Sequence, residues 1–73
     1  MKLSDLSPGQ SGCVICLPGS LRARLEKMGF VKGGDIRCLF RAPFGDPTAY
    51  LVKGVAVALR KKDAENIEVS LWD

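Results

Sequence analysis

Five short stretches of the chain combine β-branched or aromatic residues with flanking turn formers. Stretches of four to eight such residues, bounded by Gly, Pro, Asn, Asp or Ser, are typical of β-strands. They read "CVICL" (13–17), "IRCLF" (36–40), "TAYLV" (48–52), "VAVALR" (55–60) and "IEVSL" (67–71). We therefore predict five strands.

Alternation within two of these stretches predicts which side chains face the core, because successive residues of a strand point to opposite faces. In 36–41, Ile36, Cys38 and Phe40 alternate with Arg37, Leu39 and Arg41, and in 67–71 Glu68 and Ser70 interrupt three aliphatic residues. The residues expected to point inward are Ile36, Cys38, Phe40, Ile67, Val69 and Leu71.

One segment has the spacing of a helix instead. Leu21, Leu25 and Met28 recur at i, i+4 and i+7, which places them on one helical face. Ser20 is expected to be the N-cap and Gly29 the C-terminal stop. Two turns of helix are marginal alone, so this apolar face must pack on the sheet.

The connections complete the fold prediction. Lys53 and Gly54 alone separate two strands, which indicates a hairpin, and "KKDAEN" (61–66) is expected to form a tight turn or one helical turn. Five strands in so short a chain would leave exposed edges unless the sheet curled into a small barrel, with the helix over one open end. We predict a mainly β single domain, 1–73: a five-stranded barrel with one short helix after the first strand.

Composition and charge argue against some classes of function. The 73 residues carry 11 Lys and Arg against 8 Asp and Glu, for a net charge of +3, and the basic residues are dispersed rather than dense. Nucleic-acid binding is therefore not expected, since such domains usually show a basic face with aromatic residues to stack on bases. No run approaches the roughly 20 apolar residues of a transmembrane helix, and no signal peptide is recognisable. We expect a soluble, cytoplasmic protein.

Catalytic constellations are not recognisable in the sequence. The chain has no His, which excludes Ser-His and Cys-His catalysis. Its carboxylates are scattered, and no Gly-Lys-Ser or Gly-Lys-Thr phosphate-binding loop is present. We expect no enzyme, no catalytic residue and no cofactor.

The motif "CVIC" (13–16) would suit a zinc or redox site if its two sulfurs shared one face. In a regular strand, residues three apart point to opposite faces. Only Cys38 could add a third thiolate, and an odd number of cysteines is compatible with a reducing compartment. We therefore interpret Cys13, Cys16 and Cys38 as small apolar packing residues and predict no metal ligand.

The stretch "FGDP" (44–47) raises the question whether Asp46 is a chemical group or part of a bend. Gly45 can adopt positive φ, Pro47 fixes its own φ, and an Asp side chain can accept backbone hydrogen bonds within a turn. We interpret Asp46 as turn chemistry that links the second and third strands. Phe44 is expected at the exposed tip.

Four motifs in register resemble one protein family. "RLEKMG", "GGDI", "APFGDP" and "VALRKKDAENI" occur in the order seen in the bacterial ferrous iron transport protein A (FeoA) family, with a resemblance from Leu3 to about Val69. The resemblance implies an SH3-like β-barrel and a cytosolic accessory role in ferrous iron uptake. It also implies a partner, the FeoB-type membrane permease, which carries a GTP-binding domain.

Two hypotheses about function follow from the residues and the resemblance. In the first, the chain is an interaction module that docks on the permease through Arg22, Arg24 and Lys27 of the helix together with Phe44, and meets the membrane only through that partner. In the alternative, it is a small transition-metal-binding or metal-responsive domain that binds Fe(II) weakly through carboxylates, with or without a Cys. A homo-oligomer is compatible with either, because a small barrel leaves edge strands. A simpler interpretation is that the basic face of the helix is only solvent-exposed and binds no partner.

Overall fold

The computed structural model describes residues 1–72 and confirms the predicted order of elements. A 3₁₀ turn at Leu3–Asp5 precedes five strands and two short helices. These are β1 (Ser11–Cys16), α1 (Arg22–Lys27), β2 (Asp35–Arg41), β3 (Thr48–Val52), β4 (Val55–Leu59), α2 (Lys61–Ala64) and β5 (Glu68–Leu71). The segment predicted as a turn or single helical turn contains α2. No helix in this part of the chain has the length and apolar character needed to cross a membrane.

The strands form one antiparallel sheet in the order β4-β3-β2-β1-β5. β2, β3 and β4 follow one another as hairpins, and Lys53 and Gly54 make the β3–β4 turn with φ of +51° and +79°. The mainly β, five-stranded fold is confirmed, but β4 and β5 do not pair over residues 1–72. The short helix α2 connects these two strands instead, so the curled sheet does not close into a hydrogen-bonded barrel.

The outer edge of β5 is covered by the start of the chain. The amide N–H of Leu3 donates to the carbonyl of Ile67 at 2.8 Å, and that of Val69 donates to the carbonyl of Met1 at 2.8 Å. Residues 1–3 thus act as a short extra strand and satisfy backbone groups that an edge would leave unpaired.

The core lies on the inner face of the curled sheet, beneath α1 and the N-terminal turn. The side chains that are almost fully buried there include Leu3, Leu6, Val14, Leu25, Phe30, Ile36, Tyr50, Ile67 and Val69. Leu21 and Met28 pack at its margin. The predicted apolar face of the helix is therefore confirmed.

The two ends of α1 differ in how well the sequence predicted them. Ser20 is not the N-cap: Leu21 holds that position without a side-chain cap. The reason is a turn before the helix, in which the Leu21 N–H donates to the Pro18 carbonyl at 3.1 Å. At the other end Gly29 has a φ of +99° and the Phe30 N–H donates to the Leu25 carbonyl at 2.9 Å. This is the Schellman arrangement, so Gly29 is confirmed as the stop.

Two predicted core residues are exposed instead. A β-bulge lies between Cys38 and Phe40, which pair with Tyr50 and Ala49 respectively. The extra residue reverses the facing of the strand after it, so Phe40 points outward and is 62 % exposed. Leu71 is 42 % exposed for a different reason, because it lies at the end of β5, beyond the cover of the core.

We expect Gly12→Ala to destabilise the fold. A Cβ at Gly12 would lie 2.7 Å from the carbonyl oxygen of Ser70 on the paired strand β5, so the β1–β5 ladder would have to shift. The expected loss is about 1–3 kcal/mol in the free energy of unfolding, measured by urea denaturation. Gly19→Ala is the matched control, because nothing lies within 4 Å of its Cβ position. An equal effect from both substitutions would contradict this account.

Stability is expected to fall at alkaline pH. Burial raises the pKa of the Cys38 thiol, which Arg41 partly offsets, and burial together with Cys38 raises the pKa of the Tyr50 phenol. Unfolded chains lose these protons near the ordinary values of 9.0 and 10.0, while the folded state retains them to higher pH. The stabilisation is therefore complete below those values and is lost as pH rises through the raised pKa. Chemical denaturation across this range should show a shallower fall for Tyr50→Phe, and an unchanged slope would exclude Tyr50 as a contributor.

Candidate functional site: the cleft between the two helices

A cleft of about 810 Å³ lies between α1, α2 and the loop that joins β2 to β3. Its lining is mostly charged and consists of Leu21, Arg24, Asp46, Arg60, Lys61, Lys62, Asp63 and Glu65. Four of these residues are basic and three are acidic, so both signs of charge line one opening. We refer to it as the helix cleft.

The loop 42–47 contributes Asp46 to the lining of the helix cleft and is held by its own backbone. The Gly45 N–H donates to the Ala42 carbonyl at 2.7 Å, and the Ala42 N–H donates to the Pro47 carbonyl at 3.0 Å. Gly45 has a φ of +86°, as the sequence predicted for this bend. Pro43 and Phe44 occupy the turn, and the Phe44 side chain is 99 % exposed. The Phe44 ring is therefore exposed to solvent, on a loop that is held by backbone hydrogen bonds.

Asp46 is a structural acceptor, but its partner lies outside the bend. Its Oδ1 accepts the backbone N–H of Lys61, the first residue of α2, at 2.8 Å. We expected a hydrogen bond within the turn, and that expectation is wrong. Arg60, the N-cap of α2, has no side-chain capping bond, so Asp46 satisfies an orphan N–H of that helix from a distant part of the chain.

A second polar contact joins the two helices. Arg24 Nη2 lies 2.8 Å from Asp63 Oδ2, which connects the middle of α1 to α2. Arg60 Nη1 lies 3.9 Å from the other carboxylate oxygen of Asp46. Exposed pairs of this kind contribute little to stability, about 0–1 kcal/mol. Their consequence is geometric, because they hold the charged side chains in place around the helix cleft.

The four residues predicted to bind a partner do not share one surface. Arg24 lines the helix cleft, whereas Phe44 does not line it and lies two residues before Asp46, which does. Arg22 lines a separate cavity of about 190 Å³ with Ile15, Cys16 and Glu26. Lys27 is exposed on α1 outside either lining.

Sequence reasoning missed the contribution of α2. The sequence predicts a tight turn or one helical turn at 61–66, but not that Lys61 and Asp63 contact Asp46 and Arg24 respectively. The run "RKKD" (60–63) indicates a charged, exposed segment. It does not indicate which residues of other segments these side chains contact across the cleft. These are contacts between segments far apart in the chain.

Comparison with known proteins assigns the family. The family model described as the FeoA domain matches residues 1–71. The chain belongs to the FeoA family. The solution structure of FeoA from Chlorobium tepidum is 33 % identical, with a TM-score of 0.92, over 100 % of this chain and 71 % of that one. Zinc-complexed FeoA from Stenotrophomonas maltophilia, described as a procaryotic SH3 domain protein, is 32 % identical with a TM-score of 0.78, over 96 % and 89 %.

A curated relative is a much larger protein. The Fe(2+) transport protein A/Fe(2+) transporter FeoB fusion protein of Porphyromonas gingivalis is 38 % identical over 97 % of this chain. This chain spans only 9 % of that fusion. Members of the FeoA family are thus named for ferrous iron transport, and in this relative the FeoA region is covalently joined to the transporter.

The carboxylates of this FeoA domain do not gather into a metal centre within residues 1–72. No group of three or more Cys, Asp or Glu side chains is placed to hold a metal ion there. The carboxylates of Asp46 and Asp63 in the helix cleft each have a donor already. The alternative hypothesis of Fe(II) binding through clustered carboxylates therefore gains no support from the cleft.

The packing interpretation of the cysteines is confirmed for one of the three. Cys38 is fully buried in the core. Cys13 is half-buried and Cys16 is exposed, so neither serves as a core residue. The expectation for that pair is wrong, because it assumed that β1 is a regular strand. A register shift between Val14 and Cys16 makes it irregular.

We expect Asp46→Ala to lower the free energy of unfolding by about 1 kcal/mol, because the Lys61 N–H would lose its acceptor. Asp46→Asn retains an acceptor oxygen and removes the charge, so it should lose less than half as much. Urea denaturation of the two variants separates the hydrogen bond from the ion pair with Arg60. If Asn proved as damaging as Ala, the charge and not the hydrogen bond would be responsible.

Proposed function

We propose that this FeoA domain is a non-enzymatic, cytosolic accessory module of ferrous iron uptake that docks on a FeoB-type permease. The docking surface consists of Phe44, the loop 42–47 and the helix cleft. Lys27, exposed on α1, and Arg22, which lines the separate cavity beside Cys16, are proposed only as peripheral contacts. The partner is the cytosolic, GTP-binding portion of the permease.

The observation that carries this proposal is the exposure of Phe44. Its side chain is 99 % exposed, yet its loop is closed by two backbone hydrogen bonds. An aromatic residue on a rigid support loses little conformational freedom on binding, and aromatic residues are enriched among the side chains that dominate interface energies. Phe44 fits the role of an anchor that enters a pocket of the partner.

The helix cleft supplies the polar part of such an interface. Arg24 and Asp63 lie on its two helices, and charges of both signs at fixed positions around an opening favour one orientation of a partner over others. A hydrophobic anchor beside a charged surface also matches the usual arrangement of an apolar centre with a polar rim.

The fusion relative supports the choice of partner. In the Porphyromonas gingivalis protein, FeoA and FeoB regions belong to one chain, which raises their effective concentration for each other. Linkage of this kind is useful where the two parts act together. We propose that this FeoA domain makes the same association.

Phe44→Ala is expected to weaken binding to the purified cytosolic portion of the permease by tenfold or more, or about 1.4 kcal/mol, measured by calorimetry. The fold should be unaffected, because Phe44 contacts solvent on nearly all sides. Arg24→Glu should also weaken binding, since it places a carboxylate against Asp63.

Val55→Ala is the matched control for Phe44→Ala. Val55 is also an exposed apolar side chain, but it follows the β3–β4 turn at the opposite end of that ladder from the loop 42–47. Binding should be unchanged by this substitution. Full affinity in Phe44→Ala, or an equal loss in Val55→Ala, would contradict the proposed surface.

A further inference from the structure

Cys13 and Cys16 project from the same face of the sheet. Cys13 pairs with Ser70 and Cys16 with Glu68 on β5, with Val14 opposite the buried Val69 between them. Residues directly opposite in an antiparallel pair share a face, so both cysteines lie on the outer face with Ser70 and Glu68. Ile15 is the extra residue of a β-bulge in β1, and it returns Cys16 to the face on which Cys13 lies.

Both thiols are accessible and weakly held. Cys13 is half-buried and Cys16 is exposed, in contrast to the buried Cys38. The Sγ atoms of Cys13 and Cys16 approach only the carbonyl oxygens of the next residues, at 3.8 and 3.7 Å. A thiol is a weak donor, and contacts of this length leave each side chain free to turn about χ1.

The spacing of the pair suits a bridging ion better than a disulfide. Ser70 and Glu68 are two residues apart, which is about 6.7 Å along a strand, and the bulge adds length on the β1 side. A disulfide needs Cα atoms within about 6.8 Å and Cβ atoms within about 4.5 Å. An ion between two sulfurs at about 2.3 Å each allows them to remain up to about 4.6 Å apart.

The donor set selects the kind of ion. Two thiolates are soft ligands, which favour Cu(I), zinc or iron–sulfur clusters over hard ions. Zinc in proteins is normally held by four ligands, and within residues 1–72 no group of three or more Cys, Asp or Glu side chains is placed to hold a metal ion. Monovalent soft ions of the Cu(I) type are satisfied by two sulfurs in a linear arrangement.

We propose that Cys13 and Cys16 form a surface dithiol site for one Cu(I)-type ion. Two thiols lose their protons and bind the ion, so that Cu⁺ and two S–H groups give one bis-thiolate complex and two protons, with no change of oxidation state. The site is separate from the helix cleft, since Cys16 lines the cavity on the other side of α1.

Anaerobic titration of the reduced 73-residue chain with Cu(I), in competition with the colorimetric chelator bicinchoninate, tests this proposal. One ion should bind per chain. Cys13→Ser and Cys16→Ser should each weaken binding by about 100-fold or more, because the second sulfur binds at high effective concentration. Both positions lie outside the core, so these variants should fold.

Cys38→Ala is the matched control, since it removes a thiol that is buried away from this face. Its Cu(I) affinity should equal that of the parent chain, with folding of every variant checked by circular dichroism. Absence of uptake, one ion per two chains, or unchanged affinity in either serine variant would overturn the proposal.

Discussion

The hydrogen bond from the Lys61 N–H to Asp46 Oδ1, 2.8 Å long, is the contact on which the arrangement of the helix cleft depends. It joins the β2–β3 loop to the first residue of α2, fifteen positions along the chain. Asp63, two residues further on in α2, then reaches Arg24 on α1. Three segments that the sequence separates are thereby held around one opening. The first contact fixes the position of the loop relative to the start of α2.

This arrangement explains how so small a domain can present a defined binding surface. Its core is a single apolar layer on the inside of the curled sheet, and residues 1–3 cover the outer edge of β5. The core therefore fixes the strands, while polar contacts fix the loops and helices at one end. Phe44 remains in solvent because its loop is closed by its own backbone rather than by side-chain packing. A surface formed in this way can bind a partner without reorganising the core.

Local sequence patterns predicted the strands, α1 and the turns well, because those features depend on residues close together in the chain. The Gly29 stop and the Lys53–Gly54 turn are examples, since each requires a positive φ that the residue type or its neighbour permits. The bulges in β1 and β2 have no comparable signature in the sequence. An extra residue in an apolar run looks like its neighbours, and only pairing with another strand shows that Ile15 and Leu39 are additional. That is why Phe40 and the Cys13–Cys16 pair were assigned to the wrong faces. The partners of Asp46 and Arg24 were equally out of reach, because each lies on a different element.

The most direct test of the docking surface is a map of backbone amide chemical shifts in the ¹⁵N-labelled domain as the unlabelled cytosolic portion of the FeoB-type permease is added. The account predicts the largest changes in the loop 42–47, around Arg24 and in α2, with small changes along β4 and on the outer face of β1. Largest changes on β4 or β1, with the loop and α2 unaffected at saturation, would contradict it.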